Sequence, residues 1–392
     1  MVTNLLSKKR RIRVWKSLGI VAAAFVLIAG MAYSATNIWP NLGARAVDLG
    51  RAVFGDRLVA DVENLILTAE DKLKQAKYKV VKTDPVIPWN TSPVNNPPPV
   101  SNDIPSQTMS SVQGWVLPNV PPLGTISGEG QWTPYLLDAT GKVVADRTIL
   151  QPDPNRPYAL VAVVAFNLDA TKLHLVLGYE EPRSTVYISR PARIPSGDMQ
   201  PGRILAAFNG GFKAQHGHFG VMLDGVTLLP PRDGFGTVGI YADGKIAIGA
   251  WGRDIQPYLQ LVAYRQNGLL IVQDGKIDPF TSVTDPQVWG YTTYGSTATG
   301  RSAVGISQDG KVLYYAAGFD LTLPALAQAL QDAGAWQAIQ LDINNYYVHF
   351  EAIQFDAKKN PQAVTLLDQM KGPGDQRYLT IDSRDFFFVT VK

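Results

Sequence analysis

Residues 17–44 carry no charged side chain, and the centre of that stretch, Leu18 to Tyr33, is almost wholly apolar. About 20 apolar residues suffice to cross a bilayer, so the pattern predicts a transmembrane anchor over 17–39, with Trp39 near its far boundary. Lys8, Lys9, Arg10, Arg11, Arg13 and Lys16 precede it, with no acidic residue among them. Basic flanks stay cytoplasmic, so 1–16 reads as a cytoplasmic tail and everything after the anchor as extracytoplasmic. Ala32-Tyr33-Ser34 is a small-x-small site and leaves a cleaved signal peptide as the alternative.

The pattern then changes period. Phe54, Leu58, Val62, Leu65, Ala69 and Leu73 recur at steps of three and four, with charged residues between them. That spacing predicts an amphipathic helix over 43–80, able to pair with a copy of itself, lie on a membrane or dock on the body of the protein. Prolines at 85, 88, 93, 97, 98, 99 and 105 follow. Such a run favours an extended polyproline conformation, so 83–106 reads as a linker and 107–392 as the folded domain.

Within 107–392 the signals are mostly of strands. Tyr158–Phe166 and Lys172–Leu177 read as strands of a meander. Val238–Tyr241 and Ile246–Gly249 flank Ala242-Asp243-Gly244-Lys245 as a hairpin, and Asp274-Gly275 and Asp309-Gly310 repeat the theme. The clearest helix is Leu323–Ala333, capped by Thr322, with Pro324 in its first turn and Gly334 after it. Ala338–Leu341 then forms a strand that delivers Asp342 to its end. The expected fold class is α+β, with strand-rich mixed sheets and few helices, preceded by the transmembrane helix and the amphipathic helix.

Composition narrows the chemistry. The 392 residues are 46% hydrophobic and 18% charged, enough for a sizeable core, and contain no cysteine. Disulfides, a thiolate nucleophile and zinc–sulfur sites are therefore excluded. The net charge of +3 comes from the N-terminal cluster; without its six residues, 30 basic side chains face 33 acidic ones. That balance predicts no nucleic-acid partner. Oligomeric state is not legible.

Candidate chemistry gathers at a few places. Asn209, Gly210 and Gly211 end a short apolar run, where backbone N–H groups could cradle an anionic or polyhydroxylated ligand; an ordinary tight turn is the alternative. His216 and His218 follow closely. With Asp342 they are residue types able to ligate a divalent metal, but their spacing matches no metal signature, so no cofactor is firmly predicted. Arg301 could clamp a phosphate or form a structural salt bridge. Asp342 could be an acid, a base or a nucleophile, or the acceptor of an Asx-turn. Trp251, Trp289, Tyr346 and Tyr347 are candidate sugar-stacking faces or core.

The order of these pieces carries a resemblance. Asn209-Gly210-Gly211-Phe212, then Thr299-Gly300-Arg301-Ser302-Ala303-Val304-Gly305, then helix and strand into Leu341-Asp342, resembles the phosphodiester glycosidase family over roughly Arg203 to Phe350. Where that family usually reads Asp-Gly-Gly-Gly-Ser, this chain has Asp342-Ile343-Asn344-Asn345-Tyr346. The resemblance implies hydrolysis of a sugar-1-phosphodiester at the anomeric bond; with the predicted anchor, the expected protein is a membrane-anchored, exported glycosidase acting on such a linkage or a related acidic envelope glycan. Arg301 and the Gly210 and Gly211 N–H groups would hold the phosphate, and Asn209 a sugar hydroxyl or the phosphate. Asn344 and Asn345 would replace donors of the lost glycines. Asp342 would act at the anomeric centre, with His218 or His216 as proton donor. A glycan-binding protein on the same fold and a metal-assisted phosphodiesterase are the alternatives.

Overall fold

The computed structural model describes residue 47 and residues 49–82, 85–89, 115–256, 260–283, 294–371 and 376–392. The expected basic tail 1–16, anchor 17–39 and most of the linker 83–106 lie outside the described residues, as does Trp289. Among the described residues no helix is long and apolar enough to cross a membrane.

The chain divides into two compact units, 1–69 and 70–392. In the first, residues 49–54 are helical, and Gly55, at φ 86°, breaks that stretch from helix α1 (Asp56–Val80). The amphipathic helix expected over 43–80 is thus interrupted at a residue that tolerates left-handed backbone. Arg51 reaches across the break to Glu63 at 2.7 Å.

The second unit contains the end of α1 and then, in order, β1 (Thr133–Leu137), β2 (Val143–Leu150), β3 (Val161–Asn167), β4 (Thr171–Val176), β5 (Ile204–Asn209), β6 (Val221–Leu223), β7 (Val226–Leu229), β8 (Gly236–Tyr241) and β9 (Ile246–Ala250). There follow β10 (Leu261–Gln266), β11 (Leu270–Gln273), β12 (Lys276–Ile277), β13 (Thr299–Ile306), β14 (Val312–Leu321), helix α2 (Leu323–Asp332), β15 (Gln337–Gln340), β16 (Phe350–Phe355), β17 (Pro361–Thr365) and β18 (Phe386–Val391). The strand-rich architecture with few helices is as expected. An eight-stranded sheet runs β1-β2-β3-β14-β13-β15-β11-β12, and two five-stranded sheets run β7-β6-β10-β8-β9 and β17-β16-β5-β18-β4. Neighbouring strands in all three pair antiparallel.

The Asp-Gly turns close hairpins as expected, joining β8 to β9, β11 to β12 and β13 to β14. At two of them the Asp side chain accepts from backbone N–H groups, Lys245 N on Asp243 and Lys311 N on Asp309, which is the usual function of Asp in such turns. Thr322 caps α2 by accepting from Ala325 N at 3.3 Å.

The eight-stranded sheet is buried on both faces. β3, expected to form a meander with β4, pairs instead with β2 and β14, while β4 belongs to another sheet. β3 is buried at every position. Val161, Val163 and Ala165 face Leu323, Leu326, Ala327 and Leu330 of α2. Ala162, Val164 and Phe166 face the five-stranded sheets, in one core with Phe208, Ile240, Phe350 and Phe387. A strand covered on both sides gains nothing from polar alternation, hence its unbroken apolar run. Two flanking segments also pack on this unit. Asp71 of α1 takes two hydrogen bonds from Arg156, at 2.8 and 2.5 Å. Ile87 and Trp89 lie against the main core, with the Arg147 guanidinium over both Trp89 (4.5 Å) and Tyr135 (4.2 Å). The start of the proline-rich linker is therefore packed.

Phe350 lies 5.1 to 6.3 Å, centroid to centroid, from Tyr315, Tyr135, Phe208 and Phe166. Phe350→Ala should cost about 3–5 kcal/mol, the usual range for a fully buried Phe, read as a lower urea midpoint at unchanged m-value.

Candidate functional site

The site lies where strands of two sheets end together. β5 finishes at Asn209 between β16 and β18, and pairing Phe350 with Phe208 and Phe386 with Asn209 brings His349 and Asp385 alongside the Asn-Gly-Gly turn. From the eight-stranded sheet, β15 ends and the chain passes through Leu341 to Asp342. Ser302 of β13 joins the two ends. Its Oγ accepts from Asn209 Nδ2 at 2.9 Å, and its backbone N donates to Asp342 O at 2.9 Å. Asn209 Oδ1 accepts from Tyr315 OH at 3.1 Å and from His349 N at 3.3 Å. The Asn209 amide, expected to hold a sugar hydroxyl or the phosphate, instead ties the sheets together.

Gly210 and Gly211 also differ from expectation. Gly210 N donates to Asp385 O at 3.0 Å, and Gly211 N to Asp385 Oδ2 at 3.3 Å, so neither N–H is left for a phosphate. Both positions need glycine because of close approach. A Cβ on Gly210 would sit 2.2 Å from Asp385 Oδ2, and one on Gly211 2.9 Å from Arg265 Cζ. Beneath the turn Arg265 grips Asp385 through Nε (2.7 Å) and Nη2 (3.2 Å), with side chains 1% and 0% exposed. Arg265 also donates to Phe212 O and Gln266 O. The Asn-Gly-Gly turn is thus moulded over a buried ion pair.

Asp342 is held by three donors. Oδ1 accepts from Ile343 N (2.8 Å) and Asn344 N (2.9 Å), and Oδ2 from Arg384 Nη2 (2.9 Å). The first two make the Asx-turn; the third joins Asp342 to a cation from the far end of the chain. Arg384 also donates to Gly211 O at 2.8 Å, and its guanidinium lies 4.4 Å from the Tyr347 ring centre. Its Nε is buried without a hydrogen-bond partner.

These groups line a small recess that opens to solvent. Asn209, Gly210 and Gly211 form one wall, Asp342 and Tyr347 another, and Arg377, Tyr378, Asp382, Arg384 and Asp385 the third. Arg377 stacks on Tyr346 (4.1 Å) and lies 3.4 Å through Nε from Asp382. Burial pushes the Asp382 carboxyl above the usual range, against the opposing charge of Arg377. Behind this wall His349 Nε2 and Glu351 Oε1 are 2.8 Å apart. Glu351 also accepts from Arg377 N (2.7 Å) and Tyr378 N (3.1 Å), so the buried pair fixes the turn that presents Arg377. Burial pushes the Glu351 carboxyl up to about 8, opposed by those N–H donors.

Of the residues singled out from sequence, the recess therefore unites Asn209, Gly210, Gly211, Asp342 and Tyr347. It leaves out five. Arg301, 1% exposed, spends its donors on Leu321 O, Gln340 Oε1, Tyr294 O and Thr297 O, so it braces the chain around β13 and cannot clamp a substrate anion. Asn345 Oδ1 accepts from Gly300 N, and Asn344 Oδ1 from Tyr346 N, so both amide oxygens shape the loop. His216 ends a short 3-10 turn and His218, at φ 49°, follows it; neither lines the recess. Among the described residues no group of three or more His, Asp or Glu side chains is placed to hold a metal, so His216, His218 and Asp342 do not form a ligand set. Trp251 packs with Ile255 and Tyr264 in a satellite core. Arg377, Asp382 and Arg384 were missed by sequence reasoning. For Asp382 and Arg384 the signal was local: Asp382-Ser383-Arg384-Asp385 is a charged run directly before the apolar strand Phe386–Val391, whereas Arg377 had none.

Two outcomes are expected. Asp385→Asn, which strips the charge facing buried Arg265, should destabilise by about 3–5 kcal/mol in chemical denaturation, whereas replacing both partners with apolar residues should recover much of that loss. For Glu351 the folded-state pKa lies above the unfolded one. The unfolded chain therefore holds fewer protons between about pH 4.5 and 8, and this group's contribution to stability falls as pH rises through that window. Glu351→Gln should flatten the corresponding slope of unfolding free energy against pH.

Comparison with known proteins agrees with the ordered motifs. Residues 202–342 match the family model described as phosphodiester glycosidase. No curated protein matches the chain. Among similar solved structures is the zebrafish N-acetylglucosamine-1-phosphodiester alpha-N-acetylglucosaminidase catalytic domain, auto-inhibited by its pro-peptide. It is 14% identical with a TM-score of 0.40, over 65% of this chain and 86% of that one. A hypothetical protein from Synechocystis is 12% identical with a TM-score of 0.38, over 70% of this chain and 64% of that one. The matched residues, 202–342, run from the strand before Asn209-Gly210-Gly211 to Asp342, and over them the chain is similar to the phosphodiester glycosidase family.

Proposed function

We propose that this protein is a membrane-anchored, extracytoplasmic hydrolase that cleaves the anomeric bond of a sugar-1-phosphodiester or a related acidic glycan. The family match supports the reaction class. The observation that carries the anionic substrate is the pair of guanidinium groups in the recess, Arg384 and Arg377, the first with a buried Nε–H that no protein group accepts. A buried donor without a partner costs about 1–3 kcal/mol, and a phosphate oxygen would repay it.

In this reading Arg384 and Arg377 take over the phosphate-binding role expected of Arg301 and the glycine N–H groups. The leaving group would be a phosphomonoester, a weak base that departs with little protonation. Neutralising its charge matters more than donating a proton, and two cations in a recess do that. Asp342, oriented by Ile343 N, Asn344 N and Arg384, would act at the anomeric carbon, as nucleophile or as base toward water. Asp382, whose burial favours its protonated form, is the better-placed acid than His216 or His218. Tyr347 offers the sugar a face beside Asp342. The N-terminal segment 17–39 would hold the domain at the outer side of the membrane.

A second reading, a glycan-binding protein without turnover, draws on one observation: both Asp342 oxygens already accept protein hydrogen bonds. The two separate experimentally. Full-length protein in detergent, incubated with sugar-1-phosphodiesters, should release free sugar. Asp342→Asn should lower that rate by about 10²-fold or more, and Arg384→Met should act mainly on KM, weakening anion binding by roughly 10-fold or more. Absence of both free sugar and phosphomonoester, with glycan binding equal in wild type and Asp342→Asn, would establish the second reading.

A further inference from the structure

Helix α1 carries an exposed apolar stripe. In its second half the side that meets its own unit is polar: Asp71 is buried on Arg156, Gln75 donates to Asp71, and Tyr78 packs on Tyr158. In its first half Val59 and Ala60 are buried and a different set of apolar residues is exposed. Leu58, Leu65, Leu73 and Val80 are 49%, 65%, 71% and 84% exposed. Four large aliphatic side chains on one face of one helix make an unusual surface for a folded unit with a well-filled core.

The spacing of that face identifies its partner. The apolar positions are Leu58, Val62, Leu65, Ala69, Leu73, Ala76 and Val80, at steps of 4, 3, 4, 4, 3 and 4. Two properties follow. The pattern repeats every eleven residues (58, 69, 80; 62, 73; 65, 76), a period that keeps one stripe aligned along a helix with a right-handed supercoil and is suited to packing against another long helix. It also reads the same from either end, with Ala69 at its centre. A seam symmetric about a small residue can meet itself head to tail, Leu58 against Val80, Val62 against Ala76, Leu65 against Leu73, with the closest backbone approach at Ala69.

Charge selects the same arrangement. The first two turns of α1 carry Asp56, Asp61 and Glu63 against Arg57, and the last three carry Lys72, Lys74, Lys77 and Lys79 against Glu70 and Asp71. Parallel copies would lay acidic half on acidic half and lysine half on lysine half. Antiparallel copies place opposite signs together and bring Asp61, which flanks the seam, near the partner's Lys79. A lipid surface would be served by the lysine half alone, and the acidic first half disfavours it.

We propose that α1 forms an antiparallel pair with α1 of a second copy of this chain, about a two-fold axis at Ala69, making the protein a homodimer through this stalk. The pairing is independent of what the recess hydrolyses. It also gives the interrupted helix a purpose, since Gly55 ends the preceding helical stretch just before the seam begins.

The chain contains no cysteine, so introduced cysteines report alone. In the full-length protein in membranes, Ala69→Cys should give a disulfide-linked dimer under mild oxidation, and Arg57→Cys, off the seam, should not. Two differently tagged chains, one Leu58→Cys and the other Val80→Cys, should cross-link to each other at least tenfold more than Leu58→Cys does to itself. Adding Leu65→Asp to Ala69→Cys should abolish the cross-link while helical circular dichroism persists. An Ala69→Cys chain that stays monomeric, or Leu58→Cys cross-linking preferentially to itself, would overturn the antiparallel pair. Labelling of Leu65→Cys from the lipid phase without any cross-link would assign the face to the membrane instead.

Discussion

The buried contact between Arg265 and Asp385 is the constraint on which the rest of the site depends. Two charges with side chains 1% and 0% exposed are tolerable only because each is fully occupied: Arg265 by the carboxylate and two carbonyls, Asp385 by Arg265 and the turn above it. The pair lies where β10 and the start of β18, strands of different sheets, approach each other. The Asn-Gly-Gly turn has to pass directly over it, with no room for a Cβ at either glycine. Asp385 in turn fixes Arg384, one residue earlier, and so the cation that meets Asp342.

That chain of dependence explains why the recess is strongly charged. Each acidic group in it faces a guanidinium: Asp385 meets Arg265, Asp342 meets Arg384, and Asp382 meets Arg377. The three pairs differ in burial and in what else they bond, so they suit different tasks. The first has no capacity left for a ligand. The second keeps a buried Nε–H in reserve. The third is the loosest at 3.4 Å, and its carboxyl is pushed toward the neutral form by burial. A gradient from structural to available charge over one small recess is what separates scaffold from chemistry.

The outer parts of the protein follow the same logic of matched and unmatched surface. α2 buries its apolar face on the eight-stranded sheet and leaves nothing over. The second half of α1 binds its own unit through Asp71, Lys74 and Tyr78 and leaves Leu73 and Val80 exposed. Both helices have ordinary helical patterning. Only their packing tells them apart, because periodicity marks an apolar face without saying what will cover it.

Local order was legible because local forces set it. Asp-Gly turns, the Thr322 cap, the unbroken apolar run of β3 and the succession of Asn209-Gly210-Gly211 and Asp342 depend on a few neighbouring residues, and the sequence by itself determined them. The partners of long polar side chains did not follow. Arg301 and Arg384 are chemically identical, yet the first is consumed by four acceptors around β13 while the second, 42 residues beyond Asp342, reaches the recess. Asn209, Gly210 and Gly211 likewise belong to the site as read, but their donors point inward to Ser302 and Asp385. Which donors remain free is decided by contacts between strands far apart in the chain, and that was settled only when the tertiary structure brought those strand ends together.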